Sequence, residues 1–276
     1  MTRTPTRILI TGASGFIGRS LLTHLRAYDP MGTQFSSRQT VPGATPATID
    51  LRNEERVAEQ FERLKPTLVF HLAALTSPGR NDLDPALAKE SHLRVTHNIL
   101  QALPDDAHMV FLSTDKVFDG ADPWPNEAAQ PKPCCLYGEL KLECEEMIRR
   151  KAPRHHILRL PIVHACGEKS SGSFVDRAIE DLSAGKRVQV FTNIFRCFVK
   201  RHELVAFLGA LVKDTNYGTY HVGAEMLSYY DRIRRLCDEA ENKLQGRLVP
   251  AMGKIIPARQ NLNTTKVTQV FDRVFT

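Results

Sequence analysis

An α/β fold, doubly wound around a parallel sheet with a smaller mixed C-terminal lobe, is predicted by two observations on the sequence. Short β-rich apolar runs alternate with amphipathic stretches of about 10–15 residues, the pattern of repeated strand–helix–strand units. The first such run passes directly into a glycine-rich turn that opens a helix. The candidate strands are Arg7 to Thr11, Thr33 to Ser36, Thr67 to His71, His108 to Ser113 and His156 to Leu160. Between them Phe16 to Ala27, Glu54 to Lys65, Pro85 to Ala102 and Tyr137 to Lys151 carry apolar residues at helical spacing. Crossovers of this length are right-handed, which puts the ligand crevice at the carboxyl ends of the strands.

The stretch from Asp119 to Pro133, rich in Pro, Asp and Asn, reads as a loop. Beyond Pro161 the alternation loosens. Helical patterns over Ser171 to Gly185, Arg201 to Val212 and Tyr229 to Ala240 are broken by short strands at Val188 to Phe191 and Thr219 to Val222. The expected organisation is therefore a dinucleotide-binding domain over 1–160 and a mainly substrate-binding lobe over 161–276, with some segments returning to the sheet.

Composition bounds the function classes. The 276 residues are 42% hydrophobic and 25% charged, so the chain can bury a core without disulfide staples. With 37 Lys and Arg against 31 Asp and Glu, the +6 excess suits an anionic small molecule and does not call for nucleic acid. The six cysteines form no C-x-x-C pair and lack histidines at metal-site spacing, so reduced thiols and no metal are expected. No secretory signal is visible, and no apolar run approaches the ~18 residues that cross a bilayer. A soluble cytoplasmic protein is the expectation.

The turn Thr11-Gly12-Ala13-Ser14-Gly15-Phe16-Ile17-Gly18 is of the Rossmann type. Gly12 permits a tight turn, Gly15 lets backbone approach a pyrophosphate, and Gly18 allows close helix–sheet packing. The helix N-terminus adds N–H donors and a positive dipole. Where an NAD-selective protein places a carboxylate, roughly 20 residues further on, this chain reads Phe35-Ser36-Ser37-Arg38. Two hydroxyls and a guanidinium suit a 2′-phosphate, which favours NADP; the alternative is a polar loop after an edge strand.

Tyr137 and Lys141 stand four apart on one helix face. A phenol with pKa ~10 is a poor proton carrier at neutral pH, and a neighbouring ammonium is expected to lower it. A surface pair on an ordinary helix would show the same spacing.

Several ordered motifs add to that spacing. They are the turn at Gly12 to Gly18, Asp50-Leu51, His71-Leu72-Ala73-Ala74, Leu112-Ser113-Thr114-Asp115-Lys116-Val117-Phe118-Asp119-Gly120, the Tyr137/Lys141 pair, Leu158-Arg159-Leu160-Pro161 and Leu262-Asn263-Thr264-Thr265-Lys266. Through them the chain resembles the extended short-chain dehydrogenase/reductase family, most closely its dTDP-4-dehydrorhamnose reductase branch. The resemblance implies an NADP-dependent reductase that transfers a hydride to a keto group of a nucleotide-activated deoxysugar or similar polyol. Thr114 would bond the substrate carbonyl, Tyr137 would be the general acid, and Lys141 would tune Tyr137 and hold the cofactor. Asp115 would contact the sugar. Asp50 and Leu51 would bracket the adenine, Leu72, Ala73 and Ala74 would line the cofactor path, and Pro161 would lie beside it. Arg196 resembles an arginine that meets a nucleotide-sugar phosphate; otherwise it is a solvent-facing strand residue.

The chain also departs from that pattern. Lys116 replaces a tyrosine, His92 stands where an asparagine is usual, Ser173 precedes Phe174 in place of Asn, and Ile256-Pro257 replaces Arg-Pro with Arg259 displaced. These changes bear on substrate shape more than on reductase chemistry. An epimerase or dehydratase of the same fold would use the same groups but keep its cofactor unchanged through the cycle. A non-catalytic NADP-binding regulatory subunit, as in methionine adenosyltransferase, is the other alternative. A homodimer is compatible with the superfamily.

Overall fold

The computed structural model describes residues 6–35, 47–165, 173–239, 246–255 and 257–275. In chain order the elements are β1 (Ile8–Thr11), α1 (Phe16–His24), β2 (Met31–Gln34), β3 (Ala47–Thr48), α2 (Glu54–Leu64), β4 (Leu68–His71), α3 (Pro78–Leu83), α4 (Pro85–Lys89), α5 (Val95–Ala102), β5 (His108–Thr114), α6 (Leu136–Lys151) and β6 (His155–Leu160). There follow β7 (Ile162–His164), α7 (Phe174–Ser183), β8 (Arg187–Phe191), β9 (Phe195–Lys200), α8 (Arg201–Ala210), β10 (Gly218–His221), β11 (Met226–Ser228), α9 (Tyr229–Glu239), β12 (Arg247–Ala251), β13 (Arg259–Gln260) and α10 (Thr265–Phe271).

Seven strands form one sheet in the order β10-β6-β5-β4-β1-β2-β3. The pairings β2–β3, β1–β2, β1–β4 and β4–β5 are parallel. β1 and β4 are buried at every position, as strands covered on both faces must be. Strand order reverses between β1 and β4, and a doubly wound sheet offers its ligand crevice at such a switch point.

The chain divides into two compact units. The first holds the described residues of Met1–Val117, Pro131–Arg159 and Val205–Thr219; the second holds those of Phe118–Gln130, Leu160–Leu204 and Tyr220–Thr276. This differs from a single cut near residue 160. The Asp119 to Pro133 loop goes mostly to the second unit, while most of the helical segment expected in the C-terminal lobe over Arg201 to Val212 goes to the first. The core of the first unit gathers alternate strand residues Leu9, Val69, Phe111 and Ile157, on one face of the sheet, with Ile99 of α5 and Cys144 of α6. In the second unit Val175, Leu182, Val190, Phe198 and Ile233 form a separate core.

Local chemistry explains the helix boundaries. The Asn53 side chain accepts the Arg56 N–H at 3.0 Å, Glu54 and Glu55 face the positive end of α2, and Lys65 closes it in a left-handed conformation at φ 44°. Ser173 caps α7 by accepting the Asp176 N–H at 3.1 Å, which gives the replaced asparagine position a structural use. The continuous helix expected over Pro85 to Ala102 is interrupted by one wide π-turn over Glu90–Arg94. His92 sits inside that turn.

Candidate active site

The glycine turn has the backbone the sequence asks for. Gly12 lies at φ +66°, and a Cβ there would come 2.8 Å from the Ala73 nitrogen. A Cβ on Gly18 would collide with the Gly12 carbonyl oxygen, and one on Gly15 would stand 3.1 Å from the same oxygen. Gly15 caps α1 in an extended conformation without a side-chain cap, and Ser14, Phe16 and Ile17 are half-buried around it. The opening of α1 thus presents backbone N–H groups at the switch point. The turn leaves no room for a side chain at Gly12 or Gly18.

Across the switch point, Leu72 and Ala73 each donate a backbone N–H to the Thr11 hydroxyl at 3.1 Å. With both lone pairs taken, Thr11 gives its proton to His71 Nδ1, 3.0 Å away. His71 Nε2 then donates to Thr96 (3.1 Å), Thr96 to Cys144 (3.3 Å), and Cys144 to the His92 carbonyl (3.5 Å). Burial, followed by the charges of Lys141 and His92, lowers the His71 pKa to about 3, so the ring works as a neutral link. Sequence reading missed Thr96 and Cys144, and took His71 only as part of a motif.

Asp50 and Leu51 follow β3. A hydrogen bond from the Arg52 guanidinium holds Asp50 below the usual carboxylate range, through two contacts of 2.9 and 2.7 Å. Leu51 is buried, and its carbonyl accepts from Asn98 at 3.0 Å. Ser36, Ser37 and Arg38 lie outside the described residues.

Thr114, Asp115, Tyr137 and Lys141 all lie in the first unit, at the carboxyl end of β5 and the opening of α6. Tyr137 is 9% exposed and hydrogen-bonded with Thr114. The Thr114 hydroxyl accepts the Lys116 N–H at 3.2 Å, and its one proton goes either to Asp115, also 3.2 Å away, or to the phenol. The phenol's environment corrects one expectation. Burial pushes Tyr137 up and Asp115 adds to it, with Thr114 opposing, so the phenol stays above its ordinary value even with the Lys141 ammonium one turn along. Its Nζ instead donates to the Leu112 carbonyl at 2.7 Å and lies 4.4 Å from the centroid of the Phe111 ring. Burial lowers the Lys141 pKa to about 8, with Cys144 and Glu145 pulling the other way. Tyr137 is therefore a fully protonated acid at neutral pH, as a proton donor requires.

His92 packs edge-on against the Tyr137 ring at 5.6 Å. Its Nε2 lies 3.2 Å from the Leu75 carbonyl oxygen, which can only accept, so the proton sits on Nε2. Lys116, in the place of the usual tyrosine, leans its carbonyl on Gly138, where no Cβ fits. Cys134 is exposed and Cys135 half-buried beside this segment, with the Cys134 thiol pushed up by burial; Cys166 lies outside the described residues.

Arg196 and Pro161 belong to the second unit. Arg196 is 3% exposed, and its guanidinium donates to the carbonyls of Phe195 (2.7 Å), Pro257 (2.8 Å) and Ala258 (3.1 Å). It clamps β9 to the segment before β13 with three of its five N–H donors, and its burial corrects the alternative of a solvent-facing strand residue. Pro161 packs against Gly223, where a Cβ would stand 3.0 Å from its Cγ. Among the described residues no cluster of three metal-binding side chains occurs, and no helix is long and apolar enough to cross a membrane.

A family model described as the RmlD substrate binding domain matches residues 6–270. The chain belongs to that family. This RmlD-family chain is 26% identical over 290 residues to dTDP-4-dehydrorhamnose reductase of Aggregatibacter actinomycetemcomitans, covering 96% of itself and 93% of the relative. It is 27% identical over 265 residues to methionine adenosyltransferase 2 subunit beta of Danio rerio, covering 88% of itself and 76% of that protein; against the same subunit of Xenopus laevis the match spans half of the relative. Its fold superposes on dTDP-4-dehydrorhamnose reductase of Bacillus anthracis in complex with NADP with a TM-score of 0.84 at 20% identity, over 100% of this chain and 95% of the other.

Proposed function

We propose that this RmlD-family protein is an NADP-dependent reductase that transfers a hydride to a keto group of a nucleotide-activated deoxysugar or similar polyol. The observation that carries the reading is the joint burial of Thr114, Tyr137 and Lys141, a hydroxyl, a neutral phenol and an ammonium, at the carboxyl end of β5. The similarity to reductases across nearly the whole chain supports the same chemistry.

When bound, NADPH supplies the hydride. The α1 N-terminus with Gly12, Ser14, Gly15, Phe16, Ile17 and Gly18 would hold its pyrophosphate, Asp50 and Leu51 its adenine, and Leu72, Ala73, Ala74 and Pro161 would line its path. Ser36, Ser37 and Arg38 would meet the 2′-phosphate. Lys141 would hold the cofactor and balance the phenolate left after proton transfer. Tyr137 Oη gives its proton to the developing alkoxide, Thr114 donates to that oxygen, and Asp115 orients the sugar. Arg196 would meet a substrate phosphate with the N–H groups that its carbonyl partners leave over.

Mixing the protein with NADPH and a nucleotide-activated keto-deoxysugar tests the reading: NADPH is consumed in step with product. Product formed with no net NADPH consumption would instead mark an epimerase or dehydratase. The similarity to a methionine adenosyltransferase subunit favours one further reading, a cofactor-gated binding partner. It predicts tight NADP binding, no turnover and co-purification with a larger enzyme.

A further inference from the structure

Three consecutive residues at the end of β5 are tied to three residues of α6 spaced one helical turn apart. The Leu112 carbonyl receives the Lys141 ammonium, the Ser113 hydroxyl donates to the Glu145 carboxylate, and Thr114 is bonded with Tyr137. Glu145 anchors this register. Its side chain has no exposed surface, and it accepts from Arg159 Nε (3.0 Å) and Nη2 (2.8 Å) as well as from Arg149 Nη2 (2.6 Å). Burial alone would raise its pKa; the hydrogen bonds and charge of Arg159, with Ser113 and Arg149, outweigh that and hold it ionised.

The surroundings of Lys141 give that charge a second role. From β5 it meets the Leu112 carbonyl and the Phe111 ring, from β4 His71, from the π-turn His92, and from its own helix Cys144 and Glu145. Both histidines are neutral above about pH 3, and burial pushes the Cys144 thiol up. Among these groups Glu145 carries the negative charge at neutral pH.

We infer that Glu145 is a positioning residue for the reduction: its carboxylate locks α6 onto the end of β5 and keeps Lys141 an ammonium. The inference deepens the reductase reading, on which its link to turnover rests.

The test follows the Lys141 ammonium directly, by NMR of protein labelled at the lysine Cε, with Lys141→Met assigning the resonance. Glu145→Gln should move its titration midpoint down by about one pH unit, the scale of losing one nearby charge in a poorly screened site. If Glu145→Gln fails to fold because it strands the Arg159 charge, Glu145→Asp becomes the deciding variant. Glu145→Asp, which keeps the charge and shortens the reach, should hold the midpoint and lower kcat. A midpoint unchanged in a folded Glu145→Gln protein, or a wild-type kcat in Glu145→Asp, overturns the inference. A midpoint that moves in a protein whose wild type consumes no NADPH upholds Glu145 as the charge partner and sinks the reductase reading alone.

Discussion

The Lys141 ammonium donates to the carbonyl oxygen of Leu112 at 2.7 Å, and not to the phenol of Tyr137 one turn earlier on the same helix. The two groups thus have separate hydrogen-bond partners. Tyr137 is kept protonated by burial, and Lys141 is a buried charge held against a backbone carbonyl and an aromatic face.

Lys141→Met should cost activity and gain stability. Burying the ammonium depresses its pKa from 10.5 to about 8, a penalty that an apolar side chain of similar length does not carry. Against the loss of its bond to Leu112, the variant should be more stable by about 1–2 kcal/mol in urea unfolding while kcat/KM falls at least about a hundredfold. A variant that is both destabilised and active would contradict this.

Gly12→Ala tests the cradle. A methyl group there meets the Ala73 nitrogen at 2.8 Å on a backbone at φ +66°, so the turn must open. NADPH titration by fluorescence should show affinity lost beyond about tenfold, with about 1–2 kcal/mol of stability. Wild-type affinity would show that the turn does not hold the cofactor.

Acid should unfold the first unit partly through His71. Its pKa is about 3 folded against 6.5 unfolded, so between those values the unfolded chain binds more protons and stability falls as pH falls. From pH 7 to pH 5 the loss attributable to this ring is about 2 kcal/mol. Urea unfolding of His71→Gln should have a pH slope shallower by about 0.7 proton on average across that range. An unchanged slope would mean that the ring is already charged or already hydrated.

Arg196→Lys should loosen the segment before β13, since one ammonium cannot span three carbonyls. A fall in Tm with unchanged KM for the nucleotide sugar marks a clamp; a raised KM with unchanged Tm marks a phosphate contact.

The central strands are legible as short apolar-rich runs, with β4 and β6 expected to within one residue, whereas the two-residue β3 carries no readable pattern and β10 is expected in the C-terminal lobe rather than at the edge of the sheet. The glycine turn was legible because its backbone leaves no room for a side chain. β12, β13, α3 and α10 are short and lack a period long enough to read. The π-turn around His92 adds a residue to a helix whose apolar spacing still looks regular. Glu145 escaped notice for a different reason: its partners Ser113 and Arg159 lie 32 and 14 residues away, and only the folded register of β5 on α6 brings them together. On sequence alone it was one more charge on a helix. The Tyr137 and Lys141 spacing correctly put both side chains on one helix face, but the expected effect on the phenol ignored the carbonyl that takes the ammonium.

The proposed reduction needs Tyr137 as its acid. The most direct measurement is steady-state NADPH oxidation with a nucleotide-activated keto-deoxysugar, run on wild type and Tyr137→Phe alongside NADPH binding. Loss of kcat by about 10²–10⁴ with cofactor affinity intact is the predicted result. Undiminished turnover in the phenylalanine variant would contradict it.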